Sequence, residues 1–178
     1  MDSAPDRLWE DAVGDRPLPR FPVEDLRIYL RGTWRLTRQI RDGRAGADGH
    51  FEGRVSLTDS SEGLCYREEG ELSVFGYRGA AWRCYAFRFR GRYRAEVYFP
   101  GGGHFHSLDL RRGTWDVLHR CGEDRYRGTF DACAQDRLRV IWRIRGPRKD
   151  LLLDSLLTRS NETRDTRNNL RELRLTEG

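Results

Sequence analysis

From residue 33 to residue 158 apolar and polar side chains alternate with a period of two, broken at short intervals by glycine-rich turns. RGTWRLTRQI sets Trp34, Leu36, Arg38 and Ile40 against Thr33, Arg35, Thr37 and Gln39. FEGRVSLT sets Phe51, Gly53, Val55 and Leu57 against Glu52, Arg54, Ser56 and Thr58. The same alternation runs through Tyr85, Phe87 and Phe89, through Tyr93, Ala95, Val97 and Phe99, and through Leu138, Val140, Trp142 and Ile144. Successive side chains of a strand point to opposite faces, so each run reads as a half-buried strand. Shorter runs near 64–68, 71–75, 104–110, 115–121, 125–132 and 151–158 bring the count to about ten. The separators, among them DGRAGADG, RGRY, PGGG and RRG, form turns and leave no room for the crossover helix a parallel sheet requires. The spacing therefore predicts an all-β, antiparallel, up-and-down meander. Closing it into a barrel removes the two edges such a meander exposes, and a β-sandwich is the alternative.

One helix is expected ahead of the strands. In FPVEDLRIYL a proline at a helix-start position and acids in the first turn accompany Val23, Leu26, Tyr29 and Leu30, which fall on one stripe. Residues 1–20 are charged, proline-containing and aperiodic and read as a flexible leader. Residues 160–178, SNETRDTRNNLRELRLTEG, read as a polar tail or a short docked helix, which leaves 21–159 for the barrel.

Charge narrows the function classes. The 178 residues carry 33 Lys plus Arg against 28 Asp plus Glu, a net charge of +5. The two signs are interspersed along the strands, so the excess reads as a solvated outer face and not as the basic stripe of a nucleic-acid-binding protein. No apolar run approaches the roughly 20 residues of a transmembrane helix, and MDSAPDRLWEDAVGDRP lacks the apolar stretch of a signal peptide. A cytoplasmic chain with no membrane or nucleic-acid partner is expected, and a homodimer is left open. Cys65, Cys84, Cys121 and Cys133 show no CxxC spacing and read as scattered reduced thiols. Lys149 is the single lysine in the chain.

A short helix followed by Gly32, Thr33 and Trp34 at the start of the first strand resembles the opening of the calycins: lipocalins, fatty-acid-binding proteins and their haem-binding relatives. That resemblance implies a barrel whose base is closed by Trp34 with an arginine from the last strand lying across it. Arg159 is the candidate, and a guanidinium over an indole is a favourable closure. A longer series, YLRGTWRLTR, GHFEG, LCYREEGEL, VYFPGGGHFHSLDL, HRCGEDRY and WRIRGPRKD, resembles over residues 29–159 a narrower family of calycin-like proteins of unknown function. Gly101, Gly102 and Gly103 depart from that family's acidic turn, so the turn geometry there is open. The resemblance implies a fold and not a task.

Candidate chemistry concentrates in HFHSLDL and TWDVLHRC, which flank RRG. If they form an even-numbered hairpin, His106 faces His119 and His104 faces Cys121, all on the inner side with Leu108, Leu110, Trp115 and Val117. Two imidazoles about 5 Å apart at their β-carbons can divide acid and base roles, share a metal or ligate a haem. An odd loop would turn one of them outward. No third ligand stands at a recognisable metal spacing, so no metal is expected. In HRCGEDRY, Gly122 permits a tight turn, Asp124 either caps that turn or orients an imidazole, and Tyr126 returns to the inward parity. In GPRKD, Lys149 at a rim would meet a ligand anion or pair with Asp150, Glu68 or Glu69. Parity also places Arg38, Tyr66 and Glu68 inside, an interior too polar for a plain fatty-acid carrier.

These residues predict a barrel that binds a small, partly polar organic ligand. Arg38, Tyr66, Phe87, Phe89, His104, Trp115 and Lys149 are the candidate contacts, in an aromatic wall that adds Trp34, Tyr93, Phe99 and Trp142. Haem or another tetrapyrrole is the one cofactor the resemblance brings in; otherwise none is expected. The alternative is a cofactor-independent isomerase, cyclase, lyase or hydrolase. Its catalytic residues would be His106, His119, Asp124 and Tyr126, with Arg38 or Lys149 holding an anion. A third reading is an interaction module whose barrel is filled by its own side chains.

Overall fold

The computed structural model describes residues 19–160. A helix α1 (Leu26–Leu30) leads into ten strands: β1 (Gly32–Asp42), β2 (Ala47–Ser60), β3 (Gly63–Val74), β4 (Tyr77–Arg90), β5 (Arg94–Tyr98), β6 (His104–Asp109), β7 (Thr114–Cys121), β8 (Asp124–Ala134), β9 (Arg137–Gly146) and β10 (Lys149–Arg159). All ladders are antiparallel, and the order around the sheet is β6-β5-β4-β3-β2-β1-β10-β9-β8-β7. The first and last strands pair, from Trp34 opposite Arg159 to Asp42 opposite Leu151. The sheet thus curls into a nearly closed, calycin-like, up-and-down barrel, and the sandwich alternative does not apply.

Strand parity places the core as expected. Trp34, Leu36 and Arg38 are buried while Arg35, Thr37 and Gln39 are exposed, and Leu138, Val140 and Ile144 are buried on β9. Two of the short runs, 64–68 and 71–75, are a single strand, β3, continuous through Gly70.

The edges of the sheet lie in the middle of the chain. The expected hairpin between 104–110 and 115–121 is not formed as a ladder: β6 and β7 are the two edge strands and meet at a seam. At the base of the seam the segment before α1 takes up strand-end hydrogen bonds. Phe21 N donates to Ala132 O at 2.8 Å and Val23 N to Leu110 O at 3.0 Å, while Ala132 N donates to Gly113 O at 2.8 Å.

That extended segment also corrects the helix. Its predicted span began at Phe21, whereas α1 has five residues and begins after Asp25, whose side chain accepts from Ile28 N as the N-cap. Pro22 and Glu24 lie outside it because Phe21 and Val23 pair with strand ends. The stripe itself holds: Val23, Leu26, Tyr29 and Leu30 are all buried, and they pack into the core cluster that includes Trp34. Trp34 Nε1 donates to Leu30 O at 2.9 Å. Arg159 lies across the indole, its Cζ 4.1 Å from the ring centroid, and donates to Arg31 O at 2.8 Å and to Tyr29 O. One cation thus covers the closing tryptophan and the carbonyls at the helix C-terminus, where positive charge is favoured.

Candidate functional site

Above this closed end the barrel encloses a cavity of about 410 Å³, within the size range of small-molecule sites. Leu30 and Trp34 form its floor, and Tyr85, Phe87, Phe99, Phe105, Phe130 and Trp142 supply an aromatic wall. Cys121, an exposed free thiol, and Arg83, with 41% of its side chain exposed, mark where the lining reaches solvent.

A buried ionic network occupies one wall. Arg38 on β1 donates through Nη1 and Nη2 to the two oxygens of Glu68 on β3 at 2.7 and 2.9 Å, and through Nε to Ser155 Oγ on β10 at 2.8 Å. Tyr66 Oη donates to Glu68 Oε2 at 2.8 Å, and Arg83 Nε stands 3.0 Å from Glu68 Oε1. Burial alone would raise the Glu68 carboxyl. The hydrogen bonds and charges of Arg38, the charge of Arg83 and the Tyr66 hydroxyl outweigh it and hold the carboxyl below its ordinary 4.5. The Tyr66 hydroxyl is pushed well above its ordinary value by burial and by Glu68 beside it. Two guanidiniums therefore share one carboxylate, and the cavity wall favours a neutral or anionic guest over a cation.

The two histidines approach the cavity from the two edge strands. His106 on β6 is 7% exposed, and its Nδ1 is 2.9 Å from Ser107 O. A carbonyl only accepts, so Nδ1 carries the proton and Nε2 carries the lone pair. Trp115 Nε1 reaches across the seam to the same Ser107 oxygen at 2.9 Å. Burial pushes the His106 imidazole down to about 4, against the opposing effect of the Ser107 hydrogen bond, so the ring is neutral at pH 7. Its Nε2 forms no hydrogen bond with the described residues. His119 on β7 also lines the cavity, with Tyr126 as its ladder partner on β8. The cross-strand pairing of His106 with His119 is not formed, because their strands share no ladder. Both instead border the ring of Phe105, at 4.8 and 5.0 Å between centroids.

His104 departs from the expected inward parity. The β5–β6 register shifts at this point, Val97 facing His106 but Tyr98 facing His104, so Phe105 is the extra residue of a β-bulge. The bulge turns the exposed His104 outward, where its Nε2 is 2.8 Å from Glu96 Oε2, and directs Phe105 together with His106 into the cavity.

At the open end the HRCGEDRY and GPRKD motifs fold against each other. Lys149 Nζ donates to Asp124 Oδ2 at 2.6 Å and to Tyr126 Oη at 3.1 Å. A Cβ on Gly146 would fall 1.8 Å from Asp124 Oδ1, so a residue without a side chain lets that carboxylate reach the lysine. The Asp124 and Tyr126 contacts hold the ammonium well above its ordinary range. The lysine partner is Asp124, not Asp150, Glu68 or Glu69, and Asp124 engages that lysine and not an imidazole.

Of the other candidate residues, Arg38, Tyr66, Phe87 and Tyr126 line the cavity and Phe89, Trp115, Asp124 and Lys149 do not. Phe89 sits toward the closed end with Arg27 over its ring at 5.9 Å, and Trp115 stays at the seam. Tyr93, expected in the wall, is exposed beneath Arg111. Sequence reasoning missed Arg83 and Ser155, although Arg83 shares the parity of Tyr85 and Phe87, and Ser155 that of Leu153 and Leu157. Phe105 carried no such signal, because only the bulge brings it inside. Among the described residues no three His, Cys, Asp or Glu side chains group as a metal site, and no helix is long and apolar enough to cross a membrane.

Among solved structures, a protein of unknown function of the DUF3598 family from Nostoc punctiforme is 13% identical with a TM-score of 0.50, over 82% of this chain and 52% of that one, and shares the barrel fold. An S-type phycobiliprotein lyase from Guillardia theta is 12% identical with a TM-score of 0.49, over 76% of this chain and 90% of that one. A de novo designed fluorescence-activating β-barrel is 17% identical with a TM-score of 0.40, over 76% and 98%. No curated protein matches the chain. Residues 30–159, which hold every strand and the whole cavity lining described above, match the family of unknown function DUF6314, and the chain belongs to that family.

Proposed function

We propose that the barrel is a binding protein for a small, partly polar organic molecule held in its interior. The observation that carries this reading is His106: a neutral imidazole, 7% exposed, whose Nε2 lone pair has no partner among the described residues and whose strand lines an aromatic cavity. Every fully buried side-chain nitrogen and oxygen of the described residues has a partner, so this Nε2 is open to the cavity and not sealed in the core, where a guest N–H or O–H can bond to it. Haem matches this donor set poorly. His106 is crowded by Phe105, Phe130 and Trp142 at 4.8, 5.2 and 5.6 Å between ring centroids.

The same neutral Nε2 supports a second reading, a cofactor-independent enzyme in which His106 takes a proton from the guest and His119 returns one. Asp124 and Lys149 do not contribute to it, being bound to each other at the rim.

Native mass spectrometry and an absorption spectrum of protein isolated from its own host test the binding reading. The expected result is one small organic molecule per chain, released on unfolding, with no Soret band. A bare chain mass, with no calorimetric response to small-molecule extract from that host, would remove the basis for it. Loss of turnover of the released compound in His106→Ala and His119→Ala, with its affinity intact, would decide for the enzyme.

A further inference from the structure

Phe105 stands where a guest would be expected. Its ring is stacked on Tyr85 of β4 on one side, with centroids 5.6 Å apart and planes 19° apart, and on Trp142 of β9 on the other, at 5.2 Å and 15°. His106 and His119 meet it edge-on, at 71° and 84°. Phe99 packs nearest, tilted by 35° at 4.6 Å, and such offset-parallel and edge-on neighbours are the arrangements that aromatic rings prefer around another ring. The slot between Tyr85 and Trp142 is therefore built for a flat ring, and the ring now in it belongs to the chain.

That ring is attached to the part of the barrel best able to move. Phe105 is the extra residue of the β5–β6 bulge, and β6 is an edge strand with no ladder toward β7. Withdrawing the ring through the seam breaks no strand pairing, since a bulged residue is already outside the ladder. The His106 ring borders the same slot edge-on.

We propose that Phe105 is an internal stand-in for the ligand, and that the guest is a planar aromatic or heteroaromatic compound with an N–H or O–H donor and no positive charge. The guest ring replaces the Phe105 ring between Tyr85 and Trp142, its donor meets His106 Nε2, and Phe105 swings out at the seam. This inference rests on the binding reading given above and adds the class of ligand and the residue that gates it. A site whose competent state is partly populated binds with an affinity reduced by that fraction, so removing the stand-in raises the apparent affinity.

Calorimetric titration of the wild-type chain, Phe105→Ala and Phe105→Leu with 2-naphthol and decan-1-ol tests it, the two probes sharing a hydroxyl and differing in planarity. Cooperative thermal melting of each variant is confirmed beforehand. The expected result is preference for 2-naphthol in the wild type and affinity raised about tenfold or more in Phe105→Ala, following the occupancy relation. Phe105→Leu, whose side chain fills the slot without stacking, falls between and decides the question should Phe105→Ala fail to fold. Unchanged or weaker 2-naphthol binding in the variants makes Phe105 a wall and overturns the stand-in role. Preference for decan-1-ol overturns the aromatic class. Absence of binding by either probe to any folded variant overturns this inference alone, since the binding reading is decided by the mass and extract titration of the host-isolated protein.

Discussion

His106 couples the candidate site to pH through its own burial. Burial is the largest effect on its imidazole and lowers it from 6.5 to about 4; the Ser107 carbonyl and Glu96 oppose this, and His104 and His119 add to it. The unfolded chain binds a proton near 6.5 that the folded chain accepts only near 4, so stability is complete above pH 6.5 and falls as pH drops toward 4. The difference amounts to about 3 kcal/mol. Urea unfolding at pH 7 and pH 4 is expected to show a fall larger by about that amount in the wild type than in His106→Gln; equal falls would mean the ring is not held neutral. Arg38 offers a second test, on stability alone. Arg38→Met leaves Glu68 buried with Arg83 as its one remaining cation, and is expected to cost about 3 kcal/mol or more, as loss of one partner of a buried pair does. Adding Glu68→Met should recover most of that loss, and a double variant no more stable than the single one would show that the network acts otherwise. Arg38, Tyr66 and Glu68 were legible in the sequence because each sits at inward parity on an uninterrupted strand. His104 was not, because parity counts residues and the bulge at Phe105 adds one.

At the level of elements, each strand announces itself by its own alternation, but its partners depend on contacts between distant segments. Nothing within HFHSLDL, RRG or TWDVLHRC signals that β6 and β7 will be the two edges, or that Phe21 and Val23 will bond at their base. The same holds for Lys149: the motif was visible, but its partner Asp124 lies 25 residues away along the chain on a neighbouring turn. An edge whose amides are not in a ladder opens more readily than a central strand. Hydrogen exchange should therefore be fastest, among the strands, in the edges β6 and β7 and slower in the strands paired on both sides, β1, β2 and β10 among them. Protection of β6 equal to that of β2 would indicate a closed seam and leave Phe105 no way out.

For the whole molecule, the net charge of +5 loses functional meaning once arginines such as Arg54, Arg67, Arg78 and Arg88 are placed on the outer face, paired with Glu62, Glu69 and Glu71. The charge that bears on function is inside, where two guanidiniums share Glu68 opposite a neutral imidazole, in a cavity open at one end and sealed at the other by Trp34 beneath Arg159. Whether a guest occupies this interior is decided by a crystal structure of the chain isolated from its own host. A small organic molecule is expected inside the barrel, with a donor atom within hydrogen-bond distance of His106 Nε2. An interior filled only by the chain's own side chains, or a guest bound on the outer face, would contradict that expectation.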